Sequence, residues 1–271
     1  MIGQTKLQEK IDRLLANGFP RFTILYGMKG SGKKLMANYI AKQLGAQVVH
    51  CGIKADEVRD IIRLAYKQSE PTVYIIADAD NMSVAAKNSL LKITEEPPRK
   101  AYFIMTITDP VNTLETLRSR GCVLGMDAYI PSQIVSYAHQ KGYDVDCEIA
   151  SNICITPGQV DLLVSYNVTE FNNFVNNVAD NVAVVNGANA FKLVQRLKCK
   201  DEDNGYDLTL FLQALMIAYR NKMTTNRQKY IVDSIAVISK YLSQLRINGI
   251  NKAATMDMMI LELRGVAQEV E

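Results

Sequence analysis

Between Arg21 and Met126, short β-branched runs alternate with longer stretches whose apolar residues recur every three or four positions. Runs of the first kind read as strands and stretches of the second as amphipathic helices, so their alternation predicts βαβ units around a parallel sheet. The expected strands are Thr23-Ile24-Leu25-Tyr26, Val48-Val49-His50, Val73-Tyr74-Ile75-Ile76-Ala77, the run from Tyr102 to Thr108, and a short Val123-Leu124. A helix is expected from Lys33 to Leu44. Another is expected from Asp56 to Gln68, where Val58, Ile61, Ile62 and Ala65 fall at i, i+3, i+4 and i+7 and give one face to the sheet. Ser83 offers an N-cap for a third, running to about Ile93. Pro71, Pro97-Pro98 and Asp109-Pro110 punctuate the alternation.

After Pro131 the strand signal disappears. Helices are expected at about 132–140, 147–152, 158–166 and 169–180, then near 188–199, 206–222 and 225–245, with a last one from about Asn251. The change of period sets a domain boundary near residue 128, and the turn-like Asn186-Gly187 divides the helical remainder. The expected architecture is an α/β domain over 1–127 with a five-stranded parallel sheet, a small helical lid domain over 128–185 and an all-α collar domain over 186–271. A length of 271 residues alone suggests two domains at roughly 150 residues each; the helical remainder raises that to three.

Composition narrows the function classes. With 48% hydrophobic and 22% charged residues, the chain is neither disordered nor collagenous. Lys+Arg 31 against Asp+Glu 28 gives a net charge of +3, which excludes nucleic-acid binding by bulk charge and leaves only a local basic face, for which Lys87, Lys92, Arg99 and Lys100 are candidates. The five cysteines form no CxxC pair, so neither a zinc site nor a disulfide framework is expected, and a reducing cytoplasm is the simplest location. The N-terminus lacks the apolar core of a signal peptide, and no apolar run approaches the ~20 residues that span a bilayer.

Gly27-Met28-Lys29-Gly30-Ser31-Gly32-Lys33-Lys34 fits GxxxxGK between a strand and a helix. Its glycines let backbone N–H groups curl around phosphate oxygens, the helix N-terminus adds its dipole, and Lys33 reaches the β- and γ-phosphates. The plainer reading is a glycine-rich βα turn. Where the motif calls for Ser or Thr to hold Mg²⁺, this chain has Lys34, an ammonium that cannot ligate a cation.

In P-loop ATPases a later apolar strand ends in an Asp that orients the metal shell and a Glu that polarises water. Here Ala77-Asp78-Ala79-Asp80 follows the strand. In one register Ala77 takes the metal-side position and Asp78 stands for the Glu; in the other Asp78 is the metal-side acid and Ala79 follows it. A third reading makes Asp78 and Asp80 turn-forming acids.

Several stretches resemble the AAA+ clamp-loader subunits, and among them the delta-prime type of bacterial DNA polymerase III. Gly3-Gln4 is similar to the family's IxGQ element beside the adenine. The stretch from Ala85 to Pro98 is similar to AANALLKxLEEPP, the most specific match. Phe103 to Pro110 resembles the sensor 1 strand, with Thr108 at the sensor position. Leu117-Arg118-Ser119-Arg120-Gly121-Cys122 resembles the SRC motif, with Arg120 as its arginine. Thr156-Pro157-Gly158-Gln159 resembles the delta-prime SPG form, which lacks the sensor 2 arginine. Ile250-Asn251 with Asp257 to Leu261 is similar to the last collar helix. The family's spacing favours the register with Ala77 at the metal-side position.

The resemblance implies a nucleotide site at Gly3, Gln4, Gly27, Gly30, Ser31, Gly32, Lys33 and Lys34 that has room for ATP or ADP. The same residues put Mg²⁺ in doubt and supply no metal ligand. The four-cysteine zinc module of many relatives is absent, since only Cys51 lies in the relevant interval. The implied function is that of a hydrolysis-deficient clamp-loader subunit. Its Asp78 and Thr108 are remnants of a catalytic set, and Arg120 is supplied in trans across a hetero-oligomeric ring. Its partners would be other clamp-loader subunits, a sliding clamp and primer-template DNA. Two alternatives remain for Arg120 and the loop: a surface arginine in a turn, and an active AAA+ motor or loader in which Lys33 and Asp78 suffice. A small-molecule P-loop kinase is disfavoured, because residues 131–185 hold no Arg and only Lys141 to form the cationic lid of that class.

Overall fold

The computed structural model describes residues 2–194, 197, 205–223, 228–245 and 250–268. The chain divides into two compact units, one made of residues 1–133 with Thr156–Gly158, the other of Ile134–Ile155 with 159–271.

The first unit is an α/β layer structure. Its strands are β1 (Phe22–Tyr26), β2 (Gln47–Cys51), β3 (Thr72–Ile76), β4 (Ala101–Ile107) and β5 (Cys122–Gly125). All pairings are parallel and the order is β2-β3-β4-β1-β5. Every residue of β3 is buried, and β1 and β4 are nearly so, the continuous apolar form that a sheet covered on both faces requires. The five expected strands are all present.

Helices α1 (Thr5–Ala16) and α2 (Lys33–Gln43) cover one face, where Leu7, Ile11, Met36 and Ile40 pack on Leu25, Val73, Ile75, Ile104 and Leu124. Helices α3 (Ala55–Lys67), α4 (Val84–Ser89), α5 (Leu91–Glu95) and α6 (Glu115–Arg118) cover the other. There Val58, Ala65, Ala86, Leu90, Ile93 and Leu117 meet Phe22, Ile24, Tyr74, Ile76, Phe103 and Met105. Helix α1 is not among the expected elements, although Leu7, Ile11, Leu14 and Leu15 carry its period. The helix expected from Ser83 to Ile93 begins as anticipated, with the Ser83 hydroxyl accepting from Ala86 N at 3.2 Å, but a turn at Leu90 splits it into α4 and α5.

The helices that follow are α7 (Pro131–Lys141), α8 (Cys147–Ile153), α9 (Pro157–Ser165), α10 (Val168–Asn181), α11 (Gly187–Leu193), α12 (Leu208–Asn221), α13 (Gln228–Gln244) and α14 (Lys252–Gln268). Parts of the helices expected at 188–199 and 225–245 lie outside the described residues. Within the second unit Tyr206 meets Tyr166, Phe171 and Phe174 with ring centroids 5.0 to 5.2 Å apart, and the Tyr166 hydroxyl accepts from Asp207 N at 2.8 Å. Burial pushes the Cys51 and Cys154 thiols up to about 12, as expected of packing residues rather than nucleophiles. No helix among the described residues is long and apolar enough to cross a membrane.

Phe103 is fully packed in the middle of β4 and stacks on Tyr74 at 4.9 Å. Phe103→Ala should therefore lower the unfolding free energy of the α/β unit by about 3–5 kcal/mol, read from the urea midpoint by circular dichroism.

Candidate functional site

The register of the sheet brings three strand ends to one edge, β3 ending opposite Met105 and β1 opposite Ile107. The chain therefore leaves β1, β3 and β4 side by side at their carboxyl edge, where α/β sheets bind ligands. The segment after β1 is the glycine-rich loop, and its first N–H, from Gly27, donates to Ile107 O at 3.2 Å. The loop then turns through Gly30 (φ 80°) and Gly32 (φ 91°), left-handed conformations that only glycine adopts without strain. Gly32 is also the N-cap of α2, so that helix starts at the loop.

Lys33 is folded into this loop. Its Nζ donates to Gly27 O at 2.6 Å and to Met28 O at 3.0 Å, and the residue is only 7% exposed. Burial lowers its pKa from the ordinary lysine value; Asp78 and Asp80 oppose that shift and Lys34 adds to it. Ser31 is 3% exposed, and its hydroxyl has no hydrogen-bond partner although it lies within the loop close to Gly27.

The two acids after β3 have separate tasks. Asp78 has φ 53° and ψ 42°, and is the one non-glycine residue with positive φ among those described. Its N–H donates to the Thr106 hydroxyl at 3.0 Å, and its Oδ2 lies 3.2 Å from Lys34 Nζ. Asp80 holds Thr108: Oδ2 accepts from Thr108 N at 2.7 Å and from its hydroxyl at 3.1 Å. Asp78 also stands at the head of the 3₁₀ turn Ala79–Asn81, where its side chain makes no cap hydrogen bond. The residues present do not fit a P-loop Mg²⁺ shell. An ammonium occupies the hydroxyl position, it is bonded to the nearest carboxylate, and Ala77 directly follows β3.

Gly3 and Gln4 close another side. Gln4 is fully buried and pairs with the backbone of Asp127 in both directions, Nε2 donating to Asp127 O at 3.0 Å and Asp127 N donating to Oε1 at 2.9 Å. Tyr129, two residues on, donates to Ser31 O at 2.8 Å, so this wall reaches the loop. Gly3 has φ 69°, a left-handed conformation that favours glycine, and a Cβ there would lie 2.7 Å from Gln133 Oε1.

The loop tip has a further partner. The Thr156 hydroxyl donates to Lys29 O at 3.1 Å, Gly158 N donates to Gly30 O at 3.0 Å, and the two glycines touch backbone to backbone. Neither Tyr129 nor Thr156 was among the expected site residues. Thr156 had a signal in the Thr-Pro-Gly stretch; Tyr129 had none.

Arg120 stands apart from this cluster, just after α6. Its Nε and Nη2 lie 3.0 and 2.9 Å from Glu95 Oε1, and Nη1 donates to Thr116 O at 2.8 Å. The neighbouring Arg118 makes only a 3.5 Å contact with Pro110 O. Of the candidate basic face, Lys87 is buried at 7% exposure, whereas Lys92, Arg99 and Lys100 are exposed, Lys100 donating to Ser69 O.

A parallel sheet of this order, with a glycine-rich loop after β1, an acidic turn after β3 and a polar residue near the end of β4, has an AAA+-like fold and is followed by helices. Two solved structures share the fold: a DNA polymerase III gamma subunit-related protein of Thermotoga maritima (TM-score 0.51, 16% identity, 96% of this chain and 99% of that one) and the RuvB Holliday junction branch migration motor of the same organism (TM-score 0.50, 19% identity, 81% and 78%). Residues 49–129 match the family model described as DNA polymerase III, delta subunit. Among curated proteins, the chain is 30% identical over 149 residues to DNA polymerase III subunit gamma of Buchnera aphidicola, covering 42% of this chain and 41% of that one. It is 39% identical over 71 residues to subunit delta′ of Yersinia pestis (25% and 21%), and 44% over 64 residues to subunit gamma/tau of Mycobacterium tuberculosis (24% and 11%). The chain thus spans less than half the length of these relatives. Over residues 49–129 the chain is similar to the DNA polymerase III delta subunit family, and over part of its length to gamma, delta′ and gamma/tau subunits of DNA polymerase III.

A Cβ on Gly158 would lie 2.6 Å from Gly30 Cα, which is backbone and cannot swing away. Gly158→Ala is expected to lower the unfolding free energy by about 1–3 kcal/mol, read from the fall in the urea midpoint. Gly187→Ala, where a Cβ meets nothing within 4 Å, should leave the midpoint unchanged or slightly raised.

Proposed function

We propose that this chain is a clamp-loader subunit that does not turn over ATP itself and lends Arg120 to the nucleotide of a neighbouring subunit. The observation that carries this reading is the anchorage of Arg120. Three of its donors are fixed on Glu95 and Thr116 while the side chain stays 36% exposed, so the guanidinium is oriented yet accessible from outside the chain. Such an arginine neutralises charge on a transferring γ-phosphoryl group, and its loss costs roughly 10³ to 10⁵ in rate. The chain's own loop points the same way. Lys34 pairs with Asp78, Ala77 directly follows β3 and Asp80 holds Thr108, an arrangement that favours binding without turnover.

On this reading the chain occupies one place in a hetero-oligomeric ring. Its α/β module is residues 1–127, with 128–185 as lid and 186–271 as collar, and its neighbours burn ATP to open a sliding clamp at primer-template DNA. ATP or ADP at Gly3, Gln4, Gly27, Gly30, Ser31, Gly32 and Lys33 would then serve assembly rather than chemistry.

The test is to reconstitute the chain with gamma- or tau-type ATPase subunits and measure steady-state turnover. Arg120→Ala should remove the turnover of the site it faces, a fall of roughly 10³ or more at that interface, while Arg118→Ala should leave it intact. The isolated chain should stay below roughly 0.01 per second, the rate of an intrinsic GTPase with its arginine in cis. A wild-type rate in the Arg120→Ala ring, or faster turnover by the chain alone, would overturn the assignment.

A further inference from the structure

The loop lacks a metal shell but does not lack positive charge. Lys34 places an ammonium where the motif puts a metal-binding hydroxyl, and holds it 3.2 Å from Asp78 Oδ2. Both side chains are more than half exposed, at 58% and 61%, so the pair faces solvent rather than the core. An exposed pair of this kind is worth little to folding and its partners exchange readily. Beside it, Lys33 is tucked under the loop on two carbonyl oxygens, and the Ser31 hydroxyl is buried inside the loop without a hydrogen-bond partner among the described residues. Asp80, the other nearby acid, is turned toward Thr108. Helix α2, eleven residues long, opens at the same place.

We propose that this loop binds a polyphosphate chain without a divalent cation, with the Lys34 ammonium serving as the built-in counter-ion that Mg²⁺ supplies in metal-dependent sites. The incoming phosphate displaces Asp78 from Lys34, accepts from the loop N–H groups and the Ser31 hydroxyl, and draws Lys33 off the carbonyls of Gly27 and Met28. No bond is broken; the site binds and does not transfer. A magnesium ion carried in on the phosphates would instead meet the Lys34 charge at close range. The site is independent of the Arg120 assignment, because it concerns binding by the isolated chain, whereas Arg120 is read out only in the assembled ring.

Titration calorimetry on the full-length chain tests it, with ATP and inorganic tripolyphosphate as probes, each in EDTA and in excess Mg²⁺. ATP should bind at least as tightly in EDTA as in Mg²⁺, and tripolyphosphate should compete with it. Lys34→Thr should weaken the EDTA affinity about tenfold, the loss of one charge-assisted contact, and Lys34→Arg should retain it. Asp78→Asn keeps a residue that tolerates the left-handed backbone while removing the competing carboxylate, so it should tighten binding in EDTA. Lys34 and Asp78 are exposed, so these variants leave folding intact, which circular dichroism checks. Any of four results overturns the proposal: Mg²⁺ tightening wild-type binding tenfold or more, Lys34→Thr binding ATP in EDTA as well as wild type, tripolyphosphate failing to compete, or neither probe binding.

Discussion

The site depends on the position of β4, which is paired in parallel with β1 on one side and β3 on the other. Parallel pairing fixes the stagger of three strand ends at once, and a one-residue slip would turn the apolar faces of each strand to the wrong layer. Because Phe103 and Met105 pack on one face of the sheet and Ile104 on the other, β4 has no such freedom. The consequence is chemical: Thr106 near its end holds the Asp78 backbone, Ile107 holds Gly27, and Thr108 just past it meets Asp80. A single strand thereby sets the relative height of the loop, the acidic turn and the sensor-like threonine.

Two ammonium groups and two carboxylates lie at these strand ends: Lys33 donates to loop carbonyls, Lys34 pairs with Asp78, and Asp80 Oδ2 accepts from Thr108. Had Asp78 and Asp80 both faced an open cavity, their mutual repulsion would have favoured a cation between them. Lys34 removes that requirement. The left-handed conformation of Asp78 belongs to the same arrangement, since a non-glycine residue in that region costs of order 1 kcal/mol and persists only where its surroundings hold it. Here the Thr106 hydroxyl, accepting from the Asp78 N–H at 3.0 Å, does so.

Most of the α/β layer was legible because its signals are local. Alternating β-branched runs and helical periods give β1 to β5, α2 and α3, and the Ser83 cap is a one-residue signal that holds. The glycine-rich loop and the departure at Lys34 could also be read directly, since they rest on which atoms a side chain carries. What escaped is tertiary. The break at Leu90 follows from fitting α4 and α5 to the same sheet face, and no cap or proline announces it. Tyr129 and Thr156 reach the loop from 98 and 127 residues away, distances at which sequence pattern carries no information. The burial of Lys87 is likewise invisible in a stretch that reads as an ordinary basic helix.

The magnitudes separate the two kinds of contact in this chain. Phe103 in the core and the Gly30–Gly158 backbone contact hold the unit together, because apolar burial and close packing each contribute kilocalories that solvent does not screen. The ion pairs Lys34–Asp78 and Arg120–Glu95 are exposed, and pairs of that kind contribute about 0–1 kcal/mol. An interaction that weak does not explain itself as stabilisation. It does keep a flexible cation in one orientation while leaving it cheap to transfer to a stronger anion, and a phosphate, with more charge and more acceptor oxygens than a carboxylate, is such an anion. Both pairs therefore have the energetics of a parked cation: Lys34 beside the chain's own loop, and Arg120 on its outer surface.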